Sequence, residues 1–99
     1  MRVADIALKV RSKNAGPFWV TVDIFCGTAE AFSRLSRLQT AAIARLYGQP
    51  EQRLKRFDIA DLNVIKISFP RPVVQGSRDD RDMHGAQWAH LLAEMELGD

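Results

Sequence analysis

A single cysteine, Cys26, is all the thiol chemistry this chain carries. One thiol cannot close an internal disulfide, and no CxxC pair or paired Cys/His spacing suggests zinc. Long hydrophobic runs are also missing. Asp5 and Lys9 interrupt the first apolar stretch, and nothing approaches the roughly 18–20 apolar residues that cross a bilayer or the core of a signal peptide. No membrane contact is expected, and the cytoplasm is the expected location. No repeat, low-complexity tract or long linker interrupts the 99 residues, so residues 1–99 are read as one domain. A chain this short buries roughly two thirds of its unfolded surface. It has little room for both a core and a deep enclosed site, which favours a site shared with another chain.

Hydrophobic residues make up 46% and charged residues 26% of the chain, which excludes a disordered polyelectrolyte. The net charge of +2 is small but unevenly placed. Ten Lys/Arg stand against four acids in residues 1–56, and four against eight in residues 57–99. Such asymmetry can steer an anionic ligand, or it can be absorbed by internal pairing. Nucleic acid is not the expected partner: Arg34, Arg37 and Arg45 read as the polar face of a helix, and the basic residues do not read as interleaved with exposed aromatics.

Val3, Ile6, Ala7 and Val10 recur at helical spacing and predict a short amphipathic helix over residues 3–11, stopped by a turn over residues 12–17. Residues 18–26 alternate as a strand, with Phe18, Val20, Val22 and Ile24 on one face and Trp19, Thr21, Asp23 and Phe25 on the other. Thr28 is placed to cap a helix running to Tyr47, unless Thr40 caps a second helix and splits this stretch in two; Gly48 and Pro50 mark the stop. Residues 54–57 read as a short strand. Residues 63–69 read as a better one, with Ile65, Ile67 and Phe69 opposite Val64, Lys66 and Ser68. Residues 75–85 form a polar loop, and the tail from Ala86 begins as a helix that can finish as a strand through Ala93, Met95 and Leu97. Mixed elements without a βαβ repeat predict an α+β fold: a small, mainly antiparallel sheet with helices packed on one face, in two layers.

The run Arg11-Ser12-Lys13-Asn14-Ala15-Gly16-Pro17 concentrates two cations, a hydroxyl, an amide and a glycine. Arginine grips carboxylate or phosphate bidentately, lysine adds a mobile charge, and glycine lets backbone N–H groups approach an anion. The same residues also suit a turn that follows a helix. The GxxxxGK order of a phosphate loop is absent. Lys66 on the polar side of its strand and Arg71 between two prolines could join this set. Asp79, Asp80, Asp82 and His84 lie close in sequence, but Asp80-x-Asp82-x-His84 matches no strong ligand pattern and Arg78 and Arg81 compete for the carboxylates, so no metal is expected. No cofactor is expected either. Cys26 is expected in the core, and Trp19 and Trp88 in the core or at an interface.

The seven-residue run from Arg11 to Pro17, followed by a strand carrying Asp23, resembles the small uncharacterised domains that accompany acyclic terpene utilisation proteins of the AtuA type. Leu46-Tyr47, Ile65-Lys66, Pro70-Arg71-Pro72, Gly76-Ser77, Asp82 and Gly85-Ala86-Gln87 carry the likeness along the chain. His84 stands where that pattern has an aromatic, and Trp88-Ala89-His90 replaces a more polar stretch. The resemblance implies a larger AtuA-like partner in the catabolism of branched organic acids or their thioesters. On that reading Arg11, Ser12, Lys13, Asn14, Gly16, Lys66, Arg71 and Gln87 bind substrate, and Asp82 and His84 transfer protons in a hydratase- or lyase-like complex. The alternative expectation is a non-catalytic module that docks a partner or itself through Trp19, Trp88 and the tail.

Overall fold

The computed structural model describes residues 1–71 and 87–97. Its first element is one turn of helix, α1 (Val3–Ile6), closed by Asp5, whose carboxylate accepts from the Arg2 amide at 2.8 Å. The helix predicted over residues 3–11 ends there, and Lys9–Asn14 is strand β1 instead. Of that apolar set only Val10 lies within β1, where it alternates as the half-buried residue between exposed Lys9 and Arg11. Pairing decides for the strand: β1 runs antiparallel to β2 (Trp19–Phe25), with Val10 opposite Ile24 and Arg11 opposite Asp23. A long-range ladder has overridden local periodicity.

Thr28 caps α2 (Ala29–Leu35), its hydroxyl accepting from Ala31 N at 3.0 Å. The long helical stretch does break, and α3 (Thr40–Leu46) follows with Gln39, not Thr40, in the capping position. Gly48 takes φ +64°, the left-handed backbone that stops a helix. A 3₁₀ turn at Glu51–Arg53 leads to β3 (Lys55–Ile59), and a second, Ala60–Leu62, leads to β4 (Val64–Pro70) through Asn63 at φ +53°. Asparagine is one of the few side chains that tolerate that region. The tail helix is α4 (Gln87–Ala93), after which Glu96 makes an isolated bridge to Arg2 and Leu97 N donates to Met1 O.

The four strands form one antiparallel sheet in the order β1-β2-β4-β3. Alternation sorts its side chains, except that Phe18, expected on the apolar face, stands before β2 begins and is exposed. Val20, Val22 and Ile24 of β2 and Ile65, Ile67 and Phe69 of β4 are fully buried, and they share one core with Val3, Ala31, Leu35, Ile43, Ala44 and Leu92 from the four helices. At about 1.5–3 kcal/mol for each large aliphatic or aromatic side chain buried, this layer is the main source of stability. Cys26 is buried in it, and burial first, then the nearby Asp58 charge, raises its thiol pKa. Tyr47 stacks on Phe69 at 4.6 Å between ring centroids, and Trp88 meets both rings edge-on. Trp88 is thereby packed against the core, not presented as an anchor. The fold is α+β with helices on one face of the sheet, as the sequence predicts.

One side chain ties the helices to the sheet edge. Arg56 donates from Nη2 to Ser36 O at 3.0 Å and from Nη1 to Leu38 O and Thr40 Oγ1, while Nε and Nη2 also reach Asp58. It therefore satisfies carbonyls at the α2–α3 junction that no helical amide reaches.

Candidate functional site

The other face of the sheet carries the odd-numbered residues of β1 and β2. Reading across the register, Lys9, Phe25, Val64 and Ile59 form one row, and Arg11, Asp23, Lys66 and Phe57 the next. Lys13, Thr21, Ser68 and Lys55 form a third. None of these residues belongs to the helix-covered core, and Phe57 is 53% exposed. Among the described residues the three rows hold five cations, Lys9, Arg11, Lys13, Lys55 and Lys66, against one acid, Asp23.

The strand period therefore divides the run that looked like one cationic turn. Arg11 and Lys13 point to this open face. Ser12 and Asn14 point to the helix layer, where Ser12 Oγ accepts from Ala89 N at 2.9 Å and Asn14 Oδ1 accepts from Arg71 Nη1. Arg71 also extends the β2–β4 ladder, its amide donating to Phe18 O at 2.8 Å. Gly16 lies in the hairpin turn at φ +78°, with no atom within 4 Å of where a Cβ would stand. Its role there is backbone shape. Gln87 opens α4 and is exposed. Lys66 comes to the open face directly across Asp23 from Arg11. The structure thus gathers Arg11, Lys13 and Lys66 on one face, and directs the Ser12 hydroxyl, Asn14 and Arg71 to contacts at the helix layer, with Gln87 at the start of α4. Asp82 and His84, with Asp79 and Asp80, lie outside the described residues.

Two residues not singled out as site residues from sequence complete the arrangement. A groove of about 310 Å³ is lined by Arg11, Ser12, Lys13, Asp23 and Phe25. Asp23 sits between Arg11 and Lys66 in register, yet its Oδ1 is buried without a hydrogen-bond partner among the described residues. Phe25 supplies an aromatic wall, with Lys9 Nζ 5.0 Å from its ring centroid. Lys55 Nζ lies equally close to the Trp19 ring. Cations and aromatics are therefore interleaved on this face, contrary to the reading from sequence. The pairing of Lys9 with Phe25 runs between adjacent strands, so spacing along the chain did not announce it. Such a surface attracts anions with polar groups on one side and apolar carbon on the other.

The comparison with known proteins is decided over nearly the whole chain: a domain of unknown function, DUF4387, matches residues 3–96. The chain belongs to the DUF4387 family. No curated protein and no solved structure matches it. The DUF4387 match spans both the β1–β2 hairpin that carries the groove and the α4 helix that Ser12 caps. Among the described residues no group of three His, Cys, Asp or Glu side chains gathers that could hold a metal ion, and no helix is long and apolar enough to cross a membrane.

Proposed function

We propose that this DUF4387 domain is a small accessory subunit that binds an organic anion in the groove on its open sheet face. The resemblance of its residues 11–17 to AtuA-associated domains supports a larger AtuA-like partner and a place in the breakdown of branched organic acids or their thioesters, with a hydratase- or lyase-type step. The observation that carries the anion part is the convergence of Arg11, Lys13 and Lys66 on one open face beside an aromatic wall. Cations held on rigid strands, Arg11 and Lys13 on β1 and Lys66 on β4 across β2, need little reorganisation to grip a carboxylate or phosphate. A shallow groove in a domain this small would gain dryness and depth when a second chain closes over it.

The test is co-expression of the full chain with the AtuA-like protein encoded in the same cells, followed by sizing and a carboxylate-binding assay on the pair. A fixed-stoichiometry complex whose anion binding drops at least tenfold in Arg11→Ala or Lys13→Ala supports the reading. A chain that elutes alone and binds no carboxylate sinks it.

A second reading, a docking module without chemistry, is favoured by Phe57, an aromatic residue 53% exposed on the same face. Face-to-face self-pairing is disfavoured, because it would set five cations against five. On this reading Phe57→Ser breaks assembly with the partner and Arg11→Ala leaves it intact.

A further inference from the structure

Asp23 poses a problem for a groove that takes simple anions. It places a carboxylate among the cations, where it repels any anion that comes close. Its Oδ1 is buried and has no hydrogen-bond partner among the described residues. A buried, unmatched acceptor costs free energy that an apolar residue at the same position would not. The cost is recovered if the bound molecule brings a donor to that oxygen. The groove wall formed by Asp23 and Phe25 then has two jobs, one polar and one apolar.

We infer that the groove selects a small hydroxy acid, its carboxylate held by Arg11 and Lys13, which line the groove, and its hydroxyl donating to Asp23 Oδ1, with Lys66 beyond Asp23 on the same face adding to the positive field. The inference rests on the anion-binding reading above and names the class of ligand. Three features favour a hydroxyl over other donors and over plain acids. An anion without a donor leaves Asp23 unmatched, and a site built to receive a hydroxyl discriminates strongly against the analogue that lacks it. An ammonium group would also satisfy Asp23, but it would sit beside Arg11 and Lys66, which flank Asp23 in register, and would be repelled by both. A volume of about 310 Å³ walled by Phe25 fits a short carbon chain, at the lower end of small-molecule sites.

The experiment is calorimetric titration of the full chain, at low salt and neutral pH, with butyrate, 2-hydroxybutyrate, 3-hydroxybutyrate and 3-aminobutyrate. The better of the two hydroxy acids is expected to bind about tenfold or more tighter than butyrate, the value of one hydrogen bond to a charged group. The amino acid is expected to bind no better than butyrate. Asp23→Ala should erase the hydroxyl preference while leaving butyrate bound as tightly as before or tighter. Asp23→Asn, which keeps shape and one acceptor, covers the case in which the alanine variant fails to fold. It should bind every anion more tightly and retain only part of the preference. Equal binding of butyrate and both hydroxy acids by the parent chain overturns the inference and leaves the anion site standing. So does a preference that survives in Asp23→Ala. If none of the four acids binds, the anion-binding reading falls with it.

Discussion

Replacing Arg56 with alanine should destabilise this domain more than any other single change at a charged residue. The guanidinium donates to two main-chain carbonyls, Ser36 O and Leu38 O, and to the Thr40 hydroxyl, and its side chain is only 14% exposed. Hydrogen bonds to charged groups are worth about 1.5–3 kcal/mol each, and carbonyls left without partners add part of their desolvation cost. Water entering the emptied site returns some of this. The net expectation is a loss of about 2–4 kcal/mol, and each kcal/mol lowers Tm by roughly 4–8 °C in a domain of this size. Urea unfolding followed by circular dichroism should show the midpoint fall with the slope unchanged. Arg56→Lys should recover less than half, since an ammonium cannot span both carbonyls in the fork geometry. Asp58 touches the same guanidinium at 2.9 Å but sits at the exposed sheet edge, so Asp58→Ala should cost under about 1 kcal/mol. An Arg56→Ala midpoint close to the parent's, or an Asp58→Ala loss as large as that of Arg56→Ala, would refute the clamp.

Three further outcomes can be checked with the same unfolding assay. Thr28→Ala removes the cap of α2 and should cost about 0.5–2 kcal/mol; a change under 0.3 kcal/mol speaks against the cap. Burial holds the Tyr47 hydroxyl well above its ordinary pKa, and that hydroxyl donates to Trp88 O at 2.7 Å. The unfolded chain therefore releases this proton first, so stability is full below about pH 10 and falls as pH rises beyond it, by at most about 1.4 kcal/mol per pH unit. Tyr47→Phe should be less stable at neutral pH by about 1 kcal/mol yet decline less steeply in alkali, and parallel curves would contradict this. Ser12→Ala should lower stability by about 1 kcal/mol through loss of its bond to Ala89 N. Lys13→Ala, on the exposed side of the same strand, should shift it by under about 0.5 kcal/mol. The reverse order would mean that the two faces of β1 have been misassigned.

Much of the fold could be read from the sequence because the central strands carry their own period. Val20, Val22 and Ile24, and likewise Ile65, Ile67 and Phe69, alternate without a break and are the fully buried heart of the sheet. Thr28 announced its helix by chemistry alone. The edge strand β1 did not announce itself, since only every second residue is even half-buried and Val10, its one apolar residue, continued the helical spacing of Val3, Ile6 and Ala7. That one misreading had a consequence for the site. A turn would have turned Arg11, Ser12, Lys13 and Asn14 toward one ligand, whereas a strand sends them to opposite faces. Asp23 and Phe25 were visible as polar and aromatic residues on the outer side of β2, but their partners stand on other strands. Arg56 carried no local signal at all, because its carbonyl partners lie 18 and 20 residues away.

The central claim is that the open sheet face is an anion site built on Arg11, Lys13 and Lys66. Amide chemical shifts of the ¹⁵N-labelled full chain, followed while 3-hydroxybutyrate is added, test it most directly. The account predicts saturable shifts concentrated at residues 9–13, 21–25 and 64–68, lost in Arg11→Ala, with the amides of α2 and α3 unmoved. Shifts centred on the α4 amides from Ala89 to Leu92, with residues 21–25 and 64–68 unmoved, or none that saturate, would contradict it.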